Sequence, residues 1–230
     1  MKTVFITGAN RGLGLELAKQ YAQRHYKVIA CCRDIDSAHE LTLLAQQYSS
    51  IRPYALDVSH ETDILALTEV FKEQPIDVLI HNAGVSGEGC DNLGNMDQQR
   101  WLEVLKVNTI APMLITQALL NNILAGQDKT IIGMTSILAS IDDNRSGGRY
   151  SYRASKAALN QIIKSLACEL SEAGVKTMAI HPGWVKTDMG GKEGKVTVEE
   201  SVKGMLNVID NLKLKHSGSF FVYDGTQLPW

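Results

Sequence analysis

Apolar positions along the chain alternate between two rhythms. Continuous apolar runs occupy Val4-Phe5-Ile6, residues 27–32 (KVIACC), 51–56, 76–80, 130–134, 175–180 and 218–223. Short runs of this kind, bounded by polar turns, are the mark of strands buried on both faces. Between them apolar residues recur at helical spacing: Leu13, Leu17, Ala18 and Tyr21 after the first run, and Leu41, Leu44, Ala45 and Tyr48 within 35–49. Ser59-His60-Glu61-Thr62-Asp63 opens a further helix to about 72 with capping chemistry. A long helix is expected over 97–124, interrupted near Asn108 and Pro112, and others over 150–172 and 197–212. An Asn before a Pro in an apolar stretch marks either a distorted turn or a half-exposed helix position. The pattern predicts an α/β protein. No linker, charge block or internal repeat divides it, so residues 1–230 read as one domain.

Composition narrows the function classes. The 230 residues carry a formal charge of −2 and 44% hydrophobic content. No basic excess points to nucleic acid as a partner. No apolar run approaches the roughly 20 residues of a membrane helix, and Met1 to Ile6 lead straight into a motif with no signal peptide expected. Cys31, Cys32, Cys90 and Cys168 lack CxxC spacing and are expected as reduced thiols in a cytoplasmic protein. No metal site is expected.

The first chemistry-bearing stretch is Thr7-Gly8-Ala9-Asn10-Arg11-Gly12-Leu13-Gly14. Strand, glycine turn and helix in this order form a phosphate-binding context. Glycine lets backbone approach a pyrophosphate, and the helix N-terminus offers unpaired N–H groups. The spacing is GxxxGxG rather than GxGxxG. An acidic residue about 20 positions on commonly holds the ribose 2′-OH. Eighteen residues past Gly14 stands Cys32, which cannot do so, and Arg33 follows. An Arg there suits a 2′-phosphate, with Arg11 as a second positive charge, so NADP(H) is favoured over NAD(H). The competing reading makes Arg33 a solvated charge and Asp34 a helix cap. Asp57-Val58, at the end of the third run, stand where an adenine is gripped; Asp57 alternatively caps a turn. Asn82-Ala83-Gly84 are small residues at a strand's carboxyl end, fit to border a ligand.

The second stretch is Tyr150-Ser151-Tyr152-Arg153-Ala154-Ser155-Lys156. Tyr152 and Lys156 share one helix face. A phenol titrates near 10, and bringing it near 7 takes about 4 kcal/mol at about 1.36 kcal/mol per unit. One ammonium about 4 Å away supplies roughly that much at an effective dielectric of about 20. Lys156 therefore makes Tyr152 a usable acid. Tyr150 is a rival phenol, but Ala154 stands four residues on. Ser136 ends the fifth run and faces the crevice where ligands bind. His181-Pro182-Gly183-Trp184-Val185-Lys186-Thr187-Asp188-Met189 ends the sixth, with Gly190, Gly191 and Gly194 making a mobile lid.

Together these stretches resemble the short-chain dehydrogenase/reductase family over essentially the whole chain. Ser-Gly-Gly-Arg-Tyr-Ser-Tyr-Arg-Ala-Ser-Lys, the Pro182-Gly183 loop and the ending Asp224 to Trp230 are similar to the C-factor and sniffer carbonyl-reductase branch. The resemblance implies a Rossmann-type doubly wound parallel sheet of about seven strands with helices on both faces. It implies Ser136, Tyr152 and Lys156 as a catalytic triad with Asn108 beside them. It places the cofactor against Gly8, Asn10, Arg11, Gly12, Leu13 and Gly14, Arg33, Asp57 and Val58, Asn82, Ala83 and Gly84, Tyr152 and Lys156, and Pro182, Gly183, Val185 and Thr187. The implied activity is NADPH-dependent reduction of a small-molecule carbonyl, an aldehyde, ketone or quinone. The alternative is a C-factor-type signalling protein in which cofactor occupancy matters rather than turnover. Pairing as a homodimer through the helices of 97–124 and 150–172 is also implied. Two departures stand out: His81 replaces the first Asn of the family's NNAG, and the Ser136-to-Tyr152 interval is longer than usual.

Overall fold

The computed structural model describes residues 1–87, 89 and 91–230. Seven strands form one parallel sheet in the order β3-β2-β1-β4-β5-β6-β7. They are β1 (Thr3–Thr7), β2 (Lys27–Cys32), β3 (Ile51–Ala55), β4 (Val78–His81), β5 (Thr130–Met134), β6 (Lys176–His181) and β7 (Ser219–Val222). Helices α1 (Gly12–Gln23), α2 (His39–Gln47) and α8 (Val198–Asp210) cover one face. Helices α3 (Glu61–Val70), α4 (Gln98–Leu105), α5 (Ala111–Ala118), α6 (Leu120–Ala125) and α7 (Tyr150–Glu169) lie on the other side of the sheet.

Alternation along each strand builds two cores. Val4 and Ile6 of β1, Val78 and Ile80 of β4, and Met178 and Ile180 of β6 pack with Leu17, Tyr21, Met205 and Leu206. Phe5, Leu79, Ile131 and Ala179 pack on the opposite face with Leu67, Ile115, Leu159 and Ile163. Phe5 is wholly buried and meets the Phe71 ring edge-on at 5.5 Å. Burying such a side chain contributes about 1.5–3 kcal/mol. The outer strand β3 carries Pro53, where a missing N–H costs no central ladder bond.

Strand order reverses between β1 and β4, so the chain leaves their carboxyl ends towards opposite faces of the sheet, the position where a ligand crevice forms. Three elements differ from the pattern-based expectation. The second helix starts at His39, because Asp34 Oδ1 accepts from Asp36 N at 3.0 Å and turns the chain first. The N-cap position of α3 is His60, whose side chain caps nothing. The long helix is cut into α4, a π-helical turn at Lys106–Ile110, α5 and α6. Ala111 N donates to Lys106 O, and Pro112 removes the donor that the Asn108 carbonyl would take in an α-helix. The capping box at α8 is complete: Thr197 Oγ1 accepts from Glu200 N at 3.2 Å, and Glu200 Oε2 accepts from Thr197 N at 3.1 Å.

Among the described residues no helix is long and apolar enough to cross a membrane. Cys31 and Cys32 are buried free thiols and Cys168 an exposed one. Cys90 lies outside the described residues.

Candidate active site

The glycine turn joins β1 to α1 and is stitched to the end of β4. Thr7 Oγ1 accepts from the backbone N–H of Asn82 and Ala83, both at 3.0 Å. The Asn82 amide returns two bonds, to Thr7 O at 2.9 Å and Gly8 O at 2.8 Å. The glycines do different work. A Cβ on Gly8 would stand 2.9 Å from Ala83 Cα, and one on Gly14 would stand 2.1 Å from Gly8 O. Both permit close packing of backbone on backbone. Gly12, at φ +54, has only Thr187 Cγ2 near its missing Cβ, at 3.6 Å. Arg11, at the N-cap position, gives α1 no side-chain cap. The turn therefore keeps the bare helix N–H groups and the open approach that a pyrophosphate requires. The residues present fit a dinucleotide.

Around that turn the expected cofactor residues are unevenly engaged. Arg33 is exposed at the end of β2, and its charge reaches Asp57. Asp57 Oδ1 accepts from Ser59 N at 2.8 Å and Ser59 Oγ at 2.7 Å, so the carboxylate caps its own turn. Burial raises its pKa, but these two bonds together with the His60 and Arg33 charges outweigh it and hold the carboxyl low. Val58 is buried beside it. Arg11, expected as a second cation for a phosphate, is ion-paired with Asp188 at the exposed surface. The segment after β6 thus reaches back over the glycine turn.

That segment is less lid-like than its glycines implied. Lys186 N donates to Val196 O at 3.0 Å and Lys195 N to Trp184 O at 2.7 Å, closing the segment into a loop. A Cβ on Gly190 would meet Val185 O at 2.0 Å and one on Gly194 would meet Lys186 N at 2.6 Å. These two glycines serve packing. Pro182 O accepts from Ser201 Oγ at 2.6 Å, Gly183 packs on the Tyr223 ring, and Val185 is buried. Trp184 and Met189 are exposed.

The second half of the site stands on α7 and the π-helical turn. Lys156 is buried, and its Nζ donates to Met134 O at 2.8 Å. Asn108 is wholly buried; its Oδ1 accepts from Val85 N at 2.8 Å, and its Nδ2 donates to Val85 O at 2.9 Å and Ser155 Oγ at 3.0 Å. A Cβ on Gly84 would lie 3.2 Å from Asn108 Oδ1 and 3.3 Å from Lys156 Nζ. Gly84 therefore ties the crevice between β1 and β4 to the amine of α7. Ser136, at the end of β5, stands beside the Tyr152 phenol and pulls its pKa down. Tyr150 is 41% exposed and takes no part.

The electrostatics correct one expectation. Burial pushes the Tyr152 phenol above its ordinary value, against the Ser136 hydrogen bond and the Arg149 charge, which pull it down. Lys156 does not reverse this. Its Nζ is 6.0 Å from the Tyr152 ring centroid, bonded to Met134 O, and burial lowers its own pKa to about 8. Desolvation acts on both partners, a cost that helix spacing cannot reveal.

Sequence reasoning left three side chains without the partners the structure gives them. Thr7 was read as the head of the glycine stretch with no role of its own, though its hydroxyl anchors Asn82 and Ala83. Ser155 links Asn108 to α7, accepting from the amide while donating to Tyr152 O at 2.8 Å. His81 is buried with Nε2 2.9 Å from Thr116 Oγ1, and burial first, then Lys156, lowers its pKa to about 3.

The family model for short chain dehydrogenase matches residues 2–197. This chain belongs to that family. C-signal of Myxococcus xanthus is 44% identical over 156 residues, covering 68% of this chain and 93% of that protein. The NADPH-bound carbonyl reductase from chicken fatty liver superposes with a TM-score of 0.93 at 36% identity, covering 100% of this chain and 99% of that one. The carbonyl reductase Sniffer of D. melanogaster superposes with a TM-score of 0.92 at 34% identity, covering all of both chains. The short-chain dehydrogenase is thus an oxidoreductase of Rossmann-like architecture, similar to carbonyl reductases along its full length.

Proposed function

We propose that this short-chain dehydrogenase reduces a small aldehyde, ketone or quinone with NADPH. The observation that carries the reading is Gly84: a Cβ there would stand 3.2 Å from Asn108 Oδ1 and 3.3 Å from Lys156 Nζ, and the nearby Asn82 amide donates to Gly8 O of the glycine turn. The nicotinamide supplies a hydride to the carbonyl carbon when bound. Gly12, Leu13 and the bare N-terminus of α1 hold the pyrophosphate, with Asn10, Asn82 and Ala83 bordering it. Arg33 reads the 2′-phosphate, and Pro182, Gly183, Val185 and Thr187 line the nicotinamide end.

Ser136 and Tyr152 donate hydrogen bonds to the carbonyl oxygen, where negative charge grows as the bond is reduced. Tyr152 passes its proton to that oxygen. A raised phenol pKa keeps the proton on Tyr152 at neutral pH until the alkoxide forms, which suits a donor. Lys156, with a pKa lowered to about 8, exchanges protons near neutrality and replaces the one Tyr152 gives up. The Asn108 side chain is fully engaged by Val85 and Ser155, so its carbonyl is the group left to hold a water leading to solvent.

The test is NADPH oxidation against a panel of aldehydes, ketones and quinones. Turnover of at least one class supports the reading. The similarity to C-signal favours a second reading, a cofactor-occupied signalling protein. Tight NADPH binding without turnover across the panel would select it. A homodimer through α4, α5 and α7 belongs to the same reading, supported by exposed Leu102 and Ile110, and sedimentation tests it.

A further inference from the structure

Helix α7 begins without a cap of its own. Arg149 holds the N-cap position at φ +49, and its side chain accepts no hydrogen bond. A helix start leaves up to about four N–H groups without intrahelical partners. Asp91 meets two of them from another part of the chain. Its Oδ1 accepts from Ser151 N at 2.5 Å and its carbonyl from Tyr150 N at 3.3 Å. Asp91 is 5% exposed, so this carboxylate sits inside the protein at the positive end of the helix dipole.

The chain leading to Asp91 is fastened at two more places. Val85 exchanges both backbone bonds with the Asn108 amide. At Gly87, with φ +71, a Cβ would stand 2.6 Å from Ser151 Oγ and 3.1 Å from Val104 Cγ2. Ser151 precedes Tyr152 directly, so whatever fixes its amide fixes the start of the turn that carries the phenol.

We infer that Asp91 is a positioning residue for Tyr152: it caps the first turn of α7 in trans and couples the seating of the chain after β4 to the aim of the phenol. The kinetic part of this inference rests on the reductase reading; the structural part does not.

The experiment compares wild type, Asp91→Ala and Asp91→Asn by amide hydrogen exchange at residues 150–153, by NADPH affinity from cofactor fluorescence, and by kcat with a carbonyl substrate. In Asp91→Ala, exchange in this turn should speed up by about fivefold or more, the loss expected for a helix cap. Its kcat should fall by a similar factor while NADPH affinity stays within about twofold of wild type, a split that general destabilisation does not produce. Asp91→Asn keeps an acceptor oxygen and should restore exchange and kcat to within about threefold. Unchanged exchange in Asp91→Ala, faster exchange with unchanged kcat, or equal loss of NADPH affinity would each overturn the inference. So would an Asn variant as impaired as Ala. Should Asp91→Ala fail to fold, the Asn variant decides: near-wild-type exchange supports the cap, and failure to fold overturns it. A wild-type protein that binds NADPH and turns over no carbonyl refutes the reductase reading, leaving amide exchange alone to decide on Asp91.

Discussion

Lys156 Nζ donates to the backbone carbonyl of Met134 at 2.8 Å. The amine is thus bonded to the end of β5 rather than to the Tyr152 hydroxyl, and burial lowers its pKa to about 8. If Lys156 resupplies the proton that Tyr152 gives up, carbonyl reduction should fall as pH rises through about 8. Alcohol oxidation by the same enzyme should rise over that range, since a neutral amine then accepts the proton. Initial rates in both directions between pH 6 and 10 check this. A reduction rate flat through that interval would remove Lys156 from the proton path.

Tyr152→Phe keeps the ring and removes only the hydroxyl. Carbonyl reduction should drop by about 10²-fold or more, the scale of a positioned acid. NADPH affinity should stay nearly intact, because the glycine turn is untouched. Steady-state kinetics with fluorescence titration separate the two effects, and retained reductase activity would refute the assignment.

Arg33→Ala tests cofactor choice. A charge-assisted hydrogen bond contributes about 1.5–3 kcal/mol, so NADPH affinity should fall by roughly tenfold to a hundredfold. NADH affinity should change little. Equal losses for both would show that Arg33 does not meet the 2′-phosphate.

Two glycines of one turn should respond differently to alanine. Gly14→Ala sets a Cβ 2.1 Å from Gly8 O, a backbone atom that cannot turn aside. It should destabilise the protein by about 2 kcal/mol or more, as overpacking does. Gly12→Ala meets only Thr187 Cγ2, at an ordinary contact distance of 3.6 Å, and suffers mainly the left-handed strain of φ +54, about 1 kcal/mol. Its larger effect should be on NADPH affinity, since the methyl enters the approach to the pyrophosphate. Thermal unfolding and cofactor titration on both variants check the contrast.

His81 makes an acid-side stability prediction. Its pKa is about 3 folded and near 6.5 unfolded, so the unfolded chain binds the extra proton first. The stability held by the neutral ring is fully present above about pH 6.5 and is lost as pH falls towards 3, by roughly 5 kcal/mol in all. His181, lowered to about 4 mainly by burial, adds in the same sense. His81→Asn should flatten this acid limb in urea unfolding between pH 7 and 4. An unchanged slope would show that His81 is not the group responsible.

The strands were readable because each alternates residues between two buried faces, as Val4, Phe5 and Ile6 do. The glycine turn and the Tyr152–Lys156 pair were readable because their spacing is local. What escaped was set by partners distant along the chain. Asn108 looked like either a distorted turn or an idle helix residue until Val85 and Ser155 appeared around its amide. The phenol's titration was misjudged because spacing reports the nearby ammonium and not the burial. The pairing of Arg11 with Asp188 escaped because the two lie 177 residues apart. The missing cap before Tyr150 was a legible signal: Gly147-Gly148-Arg149 offers no Ser, Thr, Asp or Asn, so the acceptor had to come from elsewhere.

The stitching of Thr7 to Asn82 bears on how the protein emerges during synthesis. A nascent chain that ends before residue 82 has made the glycine turn but lacks the amides that hold it. The strand pairings of the sheet are all parallel and non-local, so none of them forms as a local hairpin before its partner strand is made. The nucleotide cradle therefore waits for β4 and the residues that follow it. Ribosome-stalled fragments cut between β3 and β4 should bind no dinucleotide, however complete their glycine motif.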